Sequence, residues 1–315
     1  MPLRIVFYGT PAFAVPTLDA LIASQHRVVG VVTQPDRPRG RGQKVSYAPV
    51  KARALEADIR VLQPDRLKAP EFLEDLARLG ADLGVVAAYG KLLPDPVLAM
   101  PRLGLINVHA SLLPRYRGAA PIHRAVMAGD TETGVTIMRV VKALDAGPML
   151  ALTACPIGPD ETSEAVEARM AVEGARLLLT VVDAMADGPV PEIGQDEAQA
   201  TYAHRISRED GVINWSRSAR DIHNQVRGLT PWPHAFTWLD GQRLLVRRAR
   251  VEAATAAAPP GTVLEASAGR LLVSTGEGTL EVLELQAEGK RPLAAREFLA
   301  GRRLAPGTTF TAAGA

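Results

Sequence analysis

A single cysteine, Cys155, stands in the 315-residue chain, so neither an internal disulfide nor a cysteine-built zinc or iron–sulfur centre can form. That usage suits a reducing compartment. The six histidines, His26, His109, His123, His204, His223 and His234, show no His-x-x-x-His or His-Glu-x-x-His spacing, and no metal site is expected. Apolar runs are short and broken by charge, which excludes a membrane span of about twenty residues. The first residues, Met1 to Phe7, lack the basic, apolar and small-residue zones of a secretory signal, so the chain is expected to be cytoplasmic. Charge of one sign is not in excess either. With 36 Lys+Arg against 34 Asp+Glu, any affinity for nucleic acid must come from local patches.

What is present is ample core material: 47% of residues are hydrophobic and 22% charged, enough for two domains at this length. The first half alternates β-branched runs (Ile5–Tyr8, Val28–Thr33, Leu83–Ala88, Leu105–His109) with amphipathic stretches such as Thr17–Ser24 and Glu71–Leu79. This grammar predicts βαβ units and an α/β, Rossmann-like, mostly parallel sheet. Two further strands, Gly134–Val141 and Met149–Cys155, flank a short turn, and a long helix runs from about Ser163 to Met185. After a polar, Pro/Gly-bearing stretch come a helix at Ser218–Arg227 and five short strands (Ala235–Leu239, Leu244–Val251, Gly261–Glu265, Leu271–Thr275, Leu280–Leu285). These suggest a small β-barrel of the oligonucleotide-binding kind. The division is therefore a domain over 1–188, a linker over 189–205 and a second domain over 206–315.

A Rossmann-like first strand ending at Gly9 invites comparison with the dinucleotide fingerprint Gly-x-Gly-x-x-Gly. Pro11 and Ala14 occupy the second and third glycine places, which disfavours a nicotinamide oxidoreductase. Asn107 and His109 are more informative. They alternate onto one face at the end of an apolar strand, and burying two polar groups there is costly unless they have partners or a task. Asp145, between the two later strands, is on local grounds a turn aspartate. A carboxylate near His109 would nevertheless orient the imidazole, forming a set with no Ser or Cys nucleophile that suits direct transfer between two bound substrates. A basic, glycine-interspersed loop carries Arg37, Arg39, Arg41 and Lys44, and a second cluster holds Arg243, Arg247, Arg248 and Arg250. Each reads equally as a solvated surface or as a phosphate contact. Trp232 and Trp238 are read as core packing rather than as stacking platforms.

With these residues in hand, the chain resembles the methionyl-tRNA formyltransferase family, a branch of the folate-dependent formyltransferases, over nearly its whole length. The segments that carry the resemblance are Gly9-Thr-Pro-x-Phe13, Thr33-Gln-Pro-Asp-Arg-Pro38, Tyr89-Gly90, Asn107-Val-His109-x-Ser-Leu-Leu-Pro114, Arg117-Gly-Ala-Ala-Pro-Ile122, Glu132-Thr-Gly-Val-Thr136 and Leu144-Asp-x-Gly147. The basic loop, Tyr202-Ala-x-x-Ile206 and Ile213-Asn-Trp215 narrow it to the tRNA branch. The resemblance implies formyl transfer from 10-formyltetrahydrofolate to the α-amine of initiator methionyl-tRNA, without a metal. It implies that Asn107, His109 and Asp145 are catalytic and that Ser111, Leu112, Leu113 and Pro114 line the folate site. Arg37, Arg39, Arg41 and Lys44 would reach the acceptor arm, and the carboxyl barrel, with Arg247 and Arg248, the tRNA body. A monomer with no membrane association is expected. Sister families act on small amines, and trials of charged tRNA against free amines as acceptors would separate the two.

Overall fold

Short apolar runs bounded by glycine or proline become the strands of a seven-stranded sheet in the computed structural model, which describes residues 1–36, 38–39, 44–45, 47–252 and 258–312. They are β1 (Arg4–Gly9), β2 (Arg27–Val32), β3 (Val61–Leu62), β4 (Leu83–Ala87), β5 (Leu105–His109), β6 (Glu132–Arg139) and β7 (Met149–Pro156). Their order across the sheet is β7-β6-β5-β4-β1-β2-β3. β1 pairs in parallel with β2 and β4, and β4 with β5. β6 runs antiparallel to both β5 and β7. The parallel strands are covered on both faces, which is why Ile5, Phe7, Val31, Leu83, Val85 and Ile106 are all fully buried and read as unbroken apolar runs.

At least four of the 24 prolines sit where a helix can use them. α1 (Val15–Ile22), α2 (Pro49–Glu56), α3 (Pro70–Arg78) and α4 (Asp95–Leu98) each carry Pro in the first two positions, where its fixed φ is already helical and its missing N–H would have no intrahelical partner. Of these, α2 escapes the hydrophobic pattern, since Lys51 and Arg53 interrupt it; β3 is too short to show any.

The chain divides into two units. The first comprises 1–121, 132–156 and 167–204; the second comprises 122–131, 157–166 and 205–315. Residues 195–203, expected as part of a linker, are hydrogen-bonded within the first unit. Tyr202–Ala203 pairs in parallel with Arg117–Gly118, and the Arg117 guanidinium binds Gln195 and Glu197.

In the second unit, α5 (Ala219–Gly228) is capped by Ser218, whose hydroxyl accepts from Asp221 N at 3.0 Å. An antiparallel sheet follows, built from β8 (Ala235–Leu239), β9 (Gln242–Glu252), β10 (Val263–Ser267), β11 (Arg270–Ser274) and β12 (Thr279–Ala287), in the order β8-β9-β12-β11-β10. The hairpins turn at Asp240-Gly241 and Ala268-Gly269, each with two positive φ values, the twist that two-residue hairpins favour. The tail joins the outer strands. Val263 N donates to Thr308 O, while Trp238 and Thr311 exchange two backbone hydrogen bonds, so residues 308–311 close the sheet into a barrel. Trp215 stacks on Phe310 inside it at 5.7 Å and donates Nε1–H to Thr237. Neither the tail strand nor the helix at Ala295–Gly301 is announced by the sequence pattern.

Arg247 on β9 donates Nη1–H to His234 Nε2 at 2.8 Å. A guanidinium has no acceptor, so the ring must be neutral at that nitrogen. Burial, helped by the Arg247 charge, pushes the His234 pKa down to about 4 from 6.5. The unfolded chain therefore binds a proton that the folded chain refuses, and stability falls as pH drops from about 6.5 towards 4. His234 has φ 64°, a region asparagine tolerates. In denaturant titrations at pH 7 and pH 5, wild type should lose more stability than His234→Asn; parallel losses would rule this histidine out as the source.

Candidate active site

β5 stops at His109, and the two polar side chains on its last turns of pleat meet different fates. His109 is 5% exposed, and its Nε2 lies 3.0 Å from Tyr116 O. A carbonyl only accepts, so Nε2 carries the proton. Nδ1 lies 3.7 Å from Asp145 Oδ2, close enough for an ion pair and too long for a hydrogen bond. The ring can address both oxygens with N–H groups only as the imidazolium. Asn107 is half-buried, and its amide makes no hydrogen bond among the described residues. Of these two side chains, Asn107 therefore has free N–H groups, whereas the Nε2–H of His109 is engaged with backbone.

Asp145 arrives from the loop between β6 and β7. The loop begins where Val140 N bonds Leu105 O, at the start of β5, and it brings Asp145 to His109 at the other end. It thus follows the length of that strand. Asp145 has φ 49° and Tyr116 φ 59°, two non-glycine residues in the left-handed region within one site, a cost that structures retain at functional positions. Gly118 N donates to Asp145 Oδ2 at 2.8 Å, and Oδ1 has no partner among the described residues. Gly147 cannot be replaced: a Cβ there would lie 1.9 Å from Arg139 O.

The segment 111–114 is fixed from beneath by Thr136, the residue opposite His109 on β6. Its hydroxyl donates to Ser111 O at 2.7 Å and accepts from Leu113 N at 3.2 Å. Ser111 is fully buried and its own hydroxyl donates to Arg115 O, so this serine shapes the loop rather than facing a ligand. Leu112 lies over Gly134, where a Cβ would come within 2.4 Å of it, and Leu113 is buried. Leu92, just before α4, and Val141 and Leu144, on the loop whose Lys142 pairs with Asp95 of α4, are exposed. Thr136 and Leu144 stand in the segments that carry the resemblance without a role of their own, and Leu92 and Val141 stand in none; large apolar residues next to Asp145 were the available signal.

At the point where the strand order reverses, between β1 and β4, Thr10 Oγ1 and Gln34 Nε2 both donate to Tyr89 O. The Tyr89 hydroxyl is buried without a partner among the described residues, and burial pushes its pKa up to about 12. Beside it, Tyr8 is raised as well, by burial and by Tyr89.

Of the expected phosphate contacts, Arg37 and Arg41 lie outside the described residues. Arg39 and Lys44 pair through their backbones in a short antiparallel ladder. Asp36, just before this loop, is tied to Lys51 and Gln63, and the Lys51 hydrogen bond holds its carboxyl below the usual range. On the barrel, Arg247 binds His234 and Gln286, Arg243 lies over the Phe236 ring at 3.8 Å, and Arg250 is paired with Glu281 and Glu252. Arg248 is exposed and has no side-chain partner among the described residues. Trp238 packs edge-on to Phe236, whereas Trp232 is 52% exposed.

Comparison with known proteins places these features in a family. The formyl transferase family model matches residues 3–182, and the model of the formyl transferase C-terminal domain matches 205–303. The chain is 47% identical to the methionyl-tRNA formyltransferase of Geobacter sulfurreducens over 99% of its own length and 98% of that protein's. With the methionyl-tRNA formyltransferase of Methylococcus capsulatus the figures are 48%, 96% and 99%. Among solved structures, the fold is shared with WlaRD, a sugar 3N-formyl transferase crystallised with dTDP and 5-N-formyl-THF (TM-score 0.67, 16% identity, 92% of this chain and 100% of that one). It is shared too with HypX from Aquifex aeolicus in complex with tetrahydrofolic acid (TM-score 0.64, 16% identity, 95% of this chain); this chain spans about half of that one, 47%. The chain belongs to the methionyl-tRNA formyltransferase family of the formyl transferases.

Proposed function

We infer that the protein transfers the formyl group of 10-formyltetrahydrofolate to the α-amine of methionyl-initiator tRNA, giving the formylated aminoacyl-tRNA used to start translation. The observation that carries the chemistry is one cluster: an unengaged Asn107 amide, the His109 ring and the Asp145 carboxylate, with Asp145 Oδ2 3.7 Å from the ring. The residues fit a formyl-bearing folate. Asn107 offers a free amide donor, exposed Leu144 next to Asp145 would take an aromatic body, and the folate supplies the formyl group itself.

An α-amine has a pKa near ~7.7, so reaching the neutral nucleophile at pH 7 costs about 1 kcal/mol or less. The larger barrier is charge on the formyl oxygen as the amine attacks, and one well-placed donor to such an oxygen is worth roughly 2.7–4 kcal/mol. Asn107 offers that donor. His109, held against Tyr116 O and facing Asp145, contributes positive charge when it is protonated. Asp145 Oδ1 takes the proton released by the attacking nitrogen and returns it to the folate nitrogen as the bond between that nitrogen and the formyl carbon breaks.

In this reading residues 1–188 carry the chemistry, 206–315 bind the tRNA body and 189–205 join them. Arg37, Arg39, Arg41 and Lys44 contact the acceptor arm. Arg248 makes a phosphate contact on the barrel, and Arg247 holds the neighbouring surface in shape. A cytoplasmic monomer is part of the proposal, because initiator tRNA is charged and used in that compartment.

Asn107→Ala should lower kcat by about 100-fold or more, the usual loss for one oxyanion donor, with little change in the folate KM. His109→Ala should behave likewise. Steady-state formylation of methionyl-tRNA by folded variants tests this, and an unchanged kcat removes that residue from the mechanism. For the tRNA site, Arg248→Ala should raise the tRNA KM and flatten its log–log salt dependence by about 0.7–0.9 while the folate KM stays put. An unaltered salt slope would mean that this arginine meets no phosphate.

A further inference from the structure

Residues 191–199 are exposed except for Gln195, which is half-buried and uses all four hydrogen-bonding positions of its amide. Nε2 donates to Asp145 O and to Gly147 O, both at 2.8 Å. Oε1 accepts from Arg117 Nε at 3.0 Å and Nη2 at 2.8 Å. Among the described residues Arg117 is the largest fully buried side chain, 2% exposed, and it also bonds Glu197 at 2.9 and 2.7 Å and the Tyr202 side chain. That pairing holds the Glu197 carboxyl below the usual range.

Arg117 stands between the two atoms that frame the site. Tyr116, before it, presents the carbonyl that takes the His109 proton, and Gly118, after it, presents the N–H that holds Asp145 Oδ2. Gln195 therefore ties the Asp145 turn to the strand that orients His109, through one amide. Its two donated bonds close on both ends of a turn whose Asp145 has a left-handed backbone, a conformation that disperses unless held.

We propose that Gln195 is a positioning residue for formyl transfer, fixing the Asp145 carboxylate against His109 by clamping the 145–147 turn to Arg117, with Glu197 as the counter-charge that keeps Arg117 buried in place. The proposal rests on the catalytic reading of Asp145. It predicts that Gln195 contributes to kcat only while Asp145 is there to be positioned.

A double-mutant cycle reads this directly. Gln195→Ala in the full-length protein should lower kcat by about 10- to 100-fold, the range typical of residues that orient a reacting group, with both KM values nearly unchanged. In an Asp145→Asn background the same change should add little further loss. Gln195→Glu keeps the size and the Arg117 bonds but replaces two donated N–H groups by carboxylate oxygen, so it should reproduce the kcat loss with thermal stability retained. Wild-type kcat in Gln195→Glu, or additive losses in the cycle, would overturn the positioning role, since a merely structural residue lowers both backgrounds equally. If Asp145→Asn alone kept full kcat, the catalytic reading would fall, and this proposal with it.

Discussion

Everything at the site depends on keeping one carboxylate, Asp145, in place beside a buried imidazole. The two side chains are 15% and 6% exposed, so both groups have lost most of their water, and an unpartnered ion in that setting costs several kcal/mol. The fold answers with fixed partners rather than with other charges: a backbone N–H from Gly118 on Oδ2 and a backbone carbonyl from Tyr116 on the ring. Neither partner depends on side-chain identity. Both depend on the backbone path of residues 116–118, which explains why so much of the surrounding structure serves to hold that path.

Three supports converge on it. Thr136 fastens the preceding segment to β6, the short pairing with Tyr202–Ala203 fastens it from outside, and Arg117 anchors it through Gln195 and Glu197. The third comes from chain some eighty residues later (78 to Gln195, 80 to Glu197), in a stretch whose composition reads as a connector. Polar, Pro/Gly-bearing sequence is therefore an unsafe guide to function here. Its residues lack an apolar face because their work is done by hydrogen bonds to backbone and to one buried cation.

The arginine cluster on the second unit teaches a related lesson about charge. By count it is strongly basic, yet Arg227 is buried on the carbonyls of Gly158 and Glu161, Arg243 lies over a ring, and Arg250 and Arg270 share Glu252 and Glu281. Arg248 is left exposed and without a side-chain partner among the described residues. Electrostatic attraction for a polyanion follows the uncompensated charges and not the number of arginines.

Local sequence determined the elements: β-branched runs became strands, alternation put Asn107 and His109 on one face, paired turn residues made the hairpins, and short motifs pointed to the family. It could also name Asp145, though only as a turn residue until a resemblance gave it a role. What tertiary structure alone decided is which distant groups meet. The free amide of Asn107, the engagement of the His109 proton, the Thr136 and Gln195 ties, and barrel closure by residues 308–311 all join segments far apart in the chain. Periodicity reports on neighbours within a few residues, whereas hydrogen-bond satisfaction of buried polar groups is settled across the whole fold.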